Sequence, residues 1–116
     1  MKIVRKSQSD RMSKIVVHNH TVYLSGQVAD DTNVGIEEQT RSCLLKIEAL
    51  LNEGGSSKAH LLAATIYLRD MKDFDAMNEV WNHWTIDGEK PARACVEARM
   101  ARDEILVEMS VTAAVI

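Results

Sequence analysis

The chain has 116 residues, of which 46% are hydrophobic and 27% charged, with a formal net charge of −3 and an isoelectric point near 5.8. These values are typical of a folded globular protein of one domain, residues 1–116, and argue against a general electrostatic attraction to nucleic acid or anionic membranes. No stretch approaches the roughly 20 apolar residues that span a bilayer, and the basic N-terminus lacks the apolar segment of a secretory signal. Two cysteines without a CxxC spacing favour a reduced, cytoplasmic setting.

The first half of the chain predicts a β-hairpin followed by a helix. KIVV (14–17) and TVYL (21–24) are rich in β-branched and aromatic residues and flank HNH, a turn-like trio. SGQ (25–27) is expected to end or bulge the second strand, and DDTN (30–33) offers N-cap residues for a helix that stops at the glycine pair 54–55. The residues that recur at helical spacing in this helix are Ile36, Thr40, Cys43, Leu44, Ile47, Leu50 and Leu51.

The next segment predicts a buried strand and a second helix. LLAATIYLR (61–69) is an almost continuous apolar run, which favours a strand buried on both faces. Asp70 can cap the following helix, which Gly88 and Pro91 close. The apolar stripe of this helix consists of Phe74, Met77, Trp81 and Trp84.

Two further strands are predicted at 93–100 and 105–115. In the first of them the residues alternate, so that successive side chains point to opposite faces of the sheet. The small, apolar side is expected to face the core. It consists of Ala94, Val96, Ala98 and Met100, and the other side of Arg93, Cys95, Glu97 and Arg99.

The predicted order ββαβαββ indicates an α+β fold in which two helices cover one face of the sheet. The strand at 61–69 is nevertheless apolar on both sides, so the other sheet face needs a cover of its own. A second copy of the chain is the obvious candidate, and we therefore expect a homo-oligomer.

Several chemically versatile residues have simple structural explanations. His18 and His20 could bind a metal only with a third ligand, which no spacing in the sequence supplies, so we interpret them as solvated turn residues and expect no metal site. Cys43 is interpreted as a small core residue, and Trp81 and Trp84 as core residues of the second helix. Cys95 shares a strand side with Arg93, but no histidine base adjoins it in the sequence, which argues against thiolate catalysis.

Glu108 interrupts an otherwise apolar strand, and a buried carboxylate must be paired, solvated or used. One interpretation is an ion pair with Arg93 on a neighbouring strand, or a wet face that holds both charges. The other is a cleft in which Arg93 clamps a substrate carboxylate and Glu108 transfers protons. Residue patterns alone leave these two interpretations open.

The segment KPARACVEARM, followed after a short loop by VEMSVTAAV, closely resembles the signature of the YjgF/Rid family, also called endoribonuclease L-PSP. SGQV and DMKDFDAMNEVW match further blocks of that family. The resemblance implies a chorismate mutase-like α+β fold, with three copies forming a homotrimer whose sheets face inward as a barrel. It also implies ligand-binding clefts between subunits. The best-known branch hydrolyses reactive 2-imino acids to 2-keto acids and ammonia without a cofactor or metal.

The same resemblance implies roles for individual residues. Arg93 matches the arginine that binds the substrate carboxylate, and Glu108 matches the carboxylate that positions or activates the attacking water. The other implied substrate-binding residues are Ser25, Gly26, Asn78 and Cys95. The chain departs from the deaminase branch at Met12, where that branch has a tyrosine, and at Ala101, where a proline is typical.

Two other functions are compatible with a YjgF/Rid-like chain. A non-catalytic trimer that binds small carboxylates such as 2-keto acids would use Arg93 but not Glu108. An endoribonuclease or translation inhibitor ranks well behind, because the chain has no basic stripe and no aromatic–basic interleaving. Imine hydrolysis, with no nucleic-acid or membrane partner, is the leading hypothesis.

Overall fold

The computed structural model describes residues 2–116, in which strands and two α-helices form two packed layers. The helices are α1 (Ile36–Glu53) and α2 (Phe74–Trp84), and short 3₁₀ turns at Lys58–His60 and Met71–Asp73 precede β5 and α2. The strands are β1 (Val4–Gln8), β2 (Ser13–His18), β3 (Thr21–Leu24), β4 (Gln27–Val28), β5 (Leu61–Leu68), β6 (Ala92–Glu97) and β7 (Val107–Ala114).

The strands form one mixed sheet in the order β1-β2-β3-β7-β5-β6, which places β6 at an edge. β5 and β6 run parallel, as the crossover through α2 requires, and the other pairs are antiparallel. Both helices pack on the same face of this sheet, so the expected α+β architecture is confirmed.

The core lies between the helices and the inner face of the sheet. Every second residue of β7 is buried there, from Val107 to Ala113, and Ile66 and Leu68 of β5 lie beside them. The helical stripes predicted from residue spacing supply the other side of the core, with Leu44 and Ile47 on α1 and Trp81 on α2. Burial of these side chains stabilises the fold by about 1.5–3 kcal/mol for each large residue.

The hairpin of β2 and β3 is confirmed and has a two-residue turn. Asn19 (φ 53°) and His20 (φ 64°) both lie in the left-handed region, as a type I′ turn requires, between the paired residues His18 and Thr21. The SGQ segment bulges the strand, as predicted. From Tyr23 to Gln27 the chain advances four residues, whereas β7 advances three, from Thr112 to Met109.

Some sequence-based expectations were incomplete or wrong. β1 was not predicted, because VRKSQ is polar and is exposed along its whole length on the outside of the β2 strand. None of the DDTN residues caps α1: the N-cap is Gly35, and the Asp31 side chain instead accepts a hydrogen bond from the Asn33 backbone N–H within the loop. Asp70 caps the 3₁₀ turn that leads into α2 rather than α2 itself.

The expectation for the strand at 93–100 was also wrong, in its length and in its orientation. The strand ends at Glu97, and its small side, with Ala94 and Val96, is exposed rather than buried. Arg93 and Cys95 point to the helix side, because they are in register with the buried Ala64 and Ile66 of β5. The side chains alternate as predicted, but the side that was expected to face the core faces away from the helices.

The second face of the sheet, which we call the open face, is not covered by either helix. It carries mostly small, apolar and hydroxyl side chains, including Ala63, Thr65, Tyr67, Val96, Ser110 and Thr112. Neither helix within residues 2–116 is long and apolar enough to cross a membrane.

Candidate functional site

Arg93 lies on the edge strand β6 and its guanidinium is held by α2. Its Nη1 donates a hydrogen bond of 2.7 Å to Oδ1 of Asn78. The guanidinium carbon lies 5.4 Å from the ring centroid of Trp81 and 6.0 Å from that of Phe74. Such contacts are each worth about 0.5–2 kcal/mol and fix the guanidinium plane. Arg93 is therefore half-buried and oriented before any ligand arrives.

Most N–H donors of the Arg93 guanidinium make no hydrogen bond within residues 2–116. Among residues 2–116 no carboxylate forms an ion pair with it, and Asn78 accepts one bond. A planar guanidinium with free parallel donors is suited to bind a carboxylate in a bidentate manner. This geometry makes Arg93 a candidate anion-binding residue.

Cys95 lies two residues along the same side of β6 and is half-buried. Burial raises the pKa of its thiol, and the positive charge of Arg93 opposes that rise. A raised pKa keeps the thiol protonated near neutral pH, and the thiolate is the nucleophilic form. This agrees with the interpretation that Cys95 is not a nucleophile.

Glu108 lies on the open face of the sheet, beside Tyr67 on β5 and Val28 on β4. Its side chain packs directly on Gly26, with no intervening side chain. Among residues 2–116 no Lys, Arg or His side chain forms an ion pair with it. The structure therefore brings Glu108 together with Gly26 and the adjacent Ser25.

The predicted site residues thus form two groups on opposite faces of one sheet. The first group, on the helix side, contains Arg93, Asn78 and Cys95, and the second, on the open face, contains Glu108, Gly26 and Ser25. The alternative in which Glu108 pairs with Arg93 on a neighbouring strand is wrong for a single chain, because β5 separates β6 from β7 and the two side chains point in opposite directions.

A cavity of about 270 Å³ lies beside the second group. Met12, which precedes β2, lines it together with Ser25 and Gly26 of the bulge. The Ser25 hydroxyl accepts a hydrogen bond of 3.1 Å from the Gln27 amide, which fixes its orientation in the bulge. Lys46 also lines the cavity, but its ammonium is occupied by the Val28 carbonyl and the Asp30 carboxylate.

Phe74 and Trp81 contact Arg93, the candidate anion-binding residue, whereas sequence reasoning assigned them to the core alone. The available signal was the polar Asn78, which lies four residues after Phe74 and three before Trp81, within the apolar stripe of α2. Residues at these spacings lie on one helix face. A polar residue inside such a stripe indicates that part of the stripe faces a site.

Comparison with known proteins identifies the family. Residues 4–115 match the family model described as Endoribonuclease L-PSP. The chain is 40% identical over 115 residues to the RutC family protein YoaB of Escherichia coli K12, which covers 99% of this chain and 100% of YoaB. The chain belongs to the YjgF/Rid family.

Solved structures agree with this assignment of a YjgF/Rid protein. The fold is similar to that of NMB1025 from Neisseria meningitidis, described as a member of the YjgF protein family, with a TM-score of 0.96 and 46% identity, covering 100% of this chain and 97% of that one. An uncharacterized protein from Pseudomonas aeruginosa also has a TM-score of 0.96, at 37% identity, covering 99% of this chain and 100% of that one. The family and fold that the sequence motifs implied are confirmed.

Cys43 and Trp84 of this YjgF/Rid protein make structural contacts. Burial raises the pKa of the Cys43 thiol from 9.0 to about 12, and its Sγ donates to the Gln27 carbonyl at 3.1 Å, as expected of a core residue. Trp84 donates from Nε1 to Glu48 at 3.0 Å. Within residues 2–116 no three His, Cys, Asp or Glu side chains are placed to bind one metal ion, and His18 flanks the hairpin turn that contains His20.

Proposed function

We propose that this YjgF/Rid protein hydrolyses 2-imino acids to 2-keto acids and ammonia, in clefts between the subunits of a homotrimer. The observation that carries the proposal is the arginine at the sheet edge: Arg93 is oriented by Asn78 and Trp81, yet its charge has no carboxylate partner among residues 2–116. A positive charge that is held in a fixed orientation and has no carboxylate partner favours binding of an anionic ligand.

Arg93 binds the carboxylate of the imino acid. Charged hydrogen bonds of this kind are worth about 1.5–3 kcal/mol, and the fixed guanidinium plane sets the direction in which the adjacent imine carbon points. Binding at the carboxylate is common to all 2-imino acids, so it leaves the side chain to be selected by another wall of the cleft.

Glu108 acts on the attacking water molecule as a general base. It orients the water and accepts one of its protons as the oxygen adds to the imine carbon, which gives a tetrahedral carbinolamine. The same carboxyl group then returns the proton to the nitrogen. As the C–N bond breaks and the C=O bond forms, the carboxylate accepts the hydroxyl proton and passes it to solvent, and ammonia and the 2-keto acid leave. A protonated imine is already electrophilic, so positioning and proton transfer suffice, without a cofactor or metal.

The placement of the two charges supports a site shared between copies of the chain. Arg93 and Glu108 lie on opposite faces of the same sheet, so one chain cannot present both to a ligand a few ångströms across. The open face is apolar enough to be covered by another copy, with Tyr23, Leu62 and Val96 each more than 40% exposed. A second copy could bring its Glu108 toward the Arg93 of the first.

An assay in which 2-imino acids are generated enzymatically in the reaction mixture tests this function. An amino-acid oxidase generates a panel of 2-imino acids, and semicarbazide traps the imines that remain. We expect the wild-type protein to lower semicarbazone formation, and Arg93→Ala and Glu108→Gln to lose that effect. Arg99→Ala, which alters an exposed arginine beyond the end of β6, is the matched control and should behave as wild type.

The same variants separate hydrolysis from simple binding. Wild-type protein that binds a 2-keto acid through Arg93 but hydrolyses no imine of the panel would replace the proposal with a non-catalytic carboxylate-binding protein. Hydrolysis that survives both Arg93→Ala and Glu108→Gln at the wild-type rate would contradict the assigned roles.

A further inference from the structure

Gly26 lies directly under the side chain of Glu108. A Cβ atom built on Gly26 would overlap Oε2 of Glu108 and would lie 3.1 Å from its Cδ and 3.4 Å from its Cγ. The carboxyl group therefore occupies the volume that any other residue at position 26 would fill with its side chain. This contact joins the bulge after β3 to the start of β7, at its second residue.

The backbone does not itself require glycine at this position. The glycines with positive φ are Gly55 and Gly88, whereas Gly26 does not lie in the left-handed region, so an L-residue could adopt its conformation. What an added side chain would disturb is the Glu108 carboxyl group, and the three nearest atoms to the built Cβ all belong to that residue.

We propose that Gly26 is a positioning residue for Glu108: the absence of a side chain lets the carboxylate lie against the bulge, in the place from which it orients water. This inference rests on the proposed hydrolase function. No ion pair within residues 2–116 fixes the Glu108 carboxylate, so the space above Gly26 determines where it lies.

The chemical consequence follows from the flexibility of glutamate. Because the far end of a glutamate side chain rotates easily, Gly26→Ala leaves the fold intact and moves the carboxylate. A displacement of about 1 Å in a catalytic group can reduce the rate on the order of 100-fold. The loss belongs to turnover rather than to substrate binding, since Arg93 holds the substrate carboxylate.

Kinetics of Gly26→Ala test this role. We expect kcat for imine hydrolysis to fall by about 10- to 100-fold with little change in KM. Gly35→Ala is the matched control, because a Cβ at Gly35 meets no atom within 4 Å, and its kcat should equal that of wild type. A raised KM with unchanged kcat in Gly26→Ala would overturn the proposal, because it would mean that residue 26 contacts substrate.

A double variant shows whether Gly26 acts through Glu108. In a Glu108→Gln background the carboxylate is already lost, so adding Gly26→Ala should lower the residual rate no further. A double variant whose loss equals the product of the two single losses would overturn the proposal, because independent effects multiply.

Crystal structures of wild type and Gly26→Ala decide the same question without any activity. A Glu108 carboxylate displaced by about 1 Å or more over an unchanged backbone supports the proposal, even if no imine proves to be a substrate. A carboxylate that keeps its place while the bulge moves away would overturn it. Failure of the hydrolase function and failure of the positioning role therefore give different results.

Discussion

Arg93 is the residue on which the proposed chemistry depends, and its surroundings explain why lysine could not replace it. The rings of Trp81 and Phe74 lie against the guanidinium, and Asn78 accepts a hydrogen bond from one of its N–H groups. A lysine ammonium is a compact charge that neither stacks as a plane nor binds a carboxylate through two parallel bonds.

We therefore predict that Arg93→Lys lowers kcat/KM for 2-imino acids by about 10- to 100-fold, although the charge is retained. Steady-state kinetics across the imine panel measure the effect, and Arg99→Lys should be without effect. Activity of Arg93→Lys close to that of wild type would mean that charge alone is needed, and that the stacking of the guanidinium is incidental.

Cys43 predicts a pH dependence of stability that is independent of function. Its thiol has a pKa near 12 in the folded protein, because burial disfavours the thiolate, against 9.0 for an ordinary thiol. The folded pKa is raised, so the contribution of Cys43 to stability is complete below about pH 9 and is lost as the pH rises toward 12.

The expected loss is about 2 kcal/mol between roughly pH 8 and pH 10.5. It is measured as the free energy of urea unfolding of wild type minus that of Cys43→Ala, which cancels the titration of lysines and tyrosines. A difference that stays constant over this range would show that the thiolate is tolerated inside the core.

Individual residue roles were the least predictable from the sequence. The charge and spacing of Arg93 and Glu108 singled them out, but whether they pair depends on which strands are adjacent and which way each side chain points. The insertion of β5 between β6 and β7 decides that question, and it is a property of the whole sheet. The contact between Gly26 and Glu108 has no local sequence signal, because the two residues are 82 positions apart (108 − 26).

At the scale of elements, hydrophobic periodicity predicted both helices and the interior strands, because burial imposes a repeat of 3.6 or 2 residues. β1 has no such repeat, since it lies on the sheet edge with both faces exposed. The orientation of β6 was also predicted wrongly, because β6 is an edge strand whose burial does not follow polarity. Its small apolar residues lie on the open face, and its arginine packs against α2.

Gln39 shows how one buried polar side chain connects elements that the periodicity did not link. Its amide nitrogen donates to the Val34 carbonyl at 3.0 Å and to the Glu104 carbonyl at 2.9 Å, and its oxygen accepts from the Leu106 N–H at 3.0 Å. The side chain is fully buried. It therefore ties the start of α1 to the loop that leads into β7.

We predict that Gln39→Leu lowers the free energy of unfolding by about 2–4 kcal/mol, because it removes three hydrogen bonds of a fully buried amide and leaves the backbone groups of the loop without these partners. Urea denaturation measures the change. Glu38→Ala, on the exposed side of the same helical turn, should change stability by no more than about 0.5 kcal/mol. Equal effects of the two substitutions would mean that the loop contacts of Gln39 are not needed.

At the scale of the whole molecule, the open face predicts self-association. Its apolar and hydroxyl side chains are suited to an interface between copies, and a sheet that is covered on only one face leaves such residues in water. The sequence indicated that a cover was needed, since β5 is apolar on both sides. It could not indicate which residues form the contact.

Val96→Glu should convert the proposed homotrimer into a smaller species, because it places a charge on the open face at a side chain that is 44% exposed in the single chain. Light scattering after size-exclusion chromatography measures the mass. Leu45→Glu, at a residue 71% exposed on α1, is the matched control and should leave the mass unchanged. A wild-type protein that is monomeric at all concentrations would contradict the assembly.

The central claim is that one copy supplies Arg93 and another supplies Glu108 to the same site. Arg93→Ala and Glu108→Gln subunits, each expected to retain only a small residual rate alone, can be unfolded, mixed in equal amounts and refolded together. Random assembly of a homotrimer then gives about one quarter of the sites both an intact arginine and an intact glutamate. We predict that imine hydrolysis returns to about one quarter of the wild-type level. Mixed oligomers with no activity would contradict the shared site.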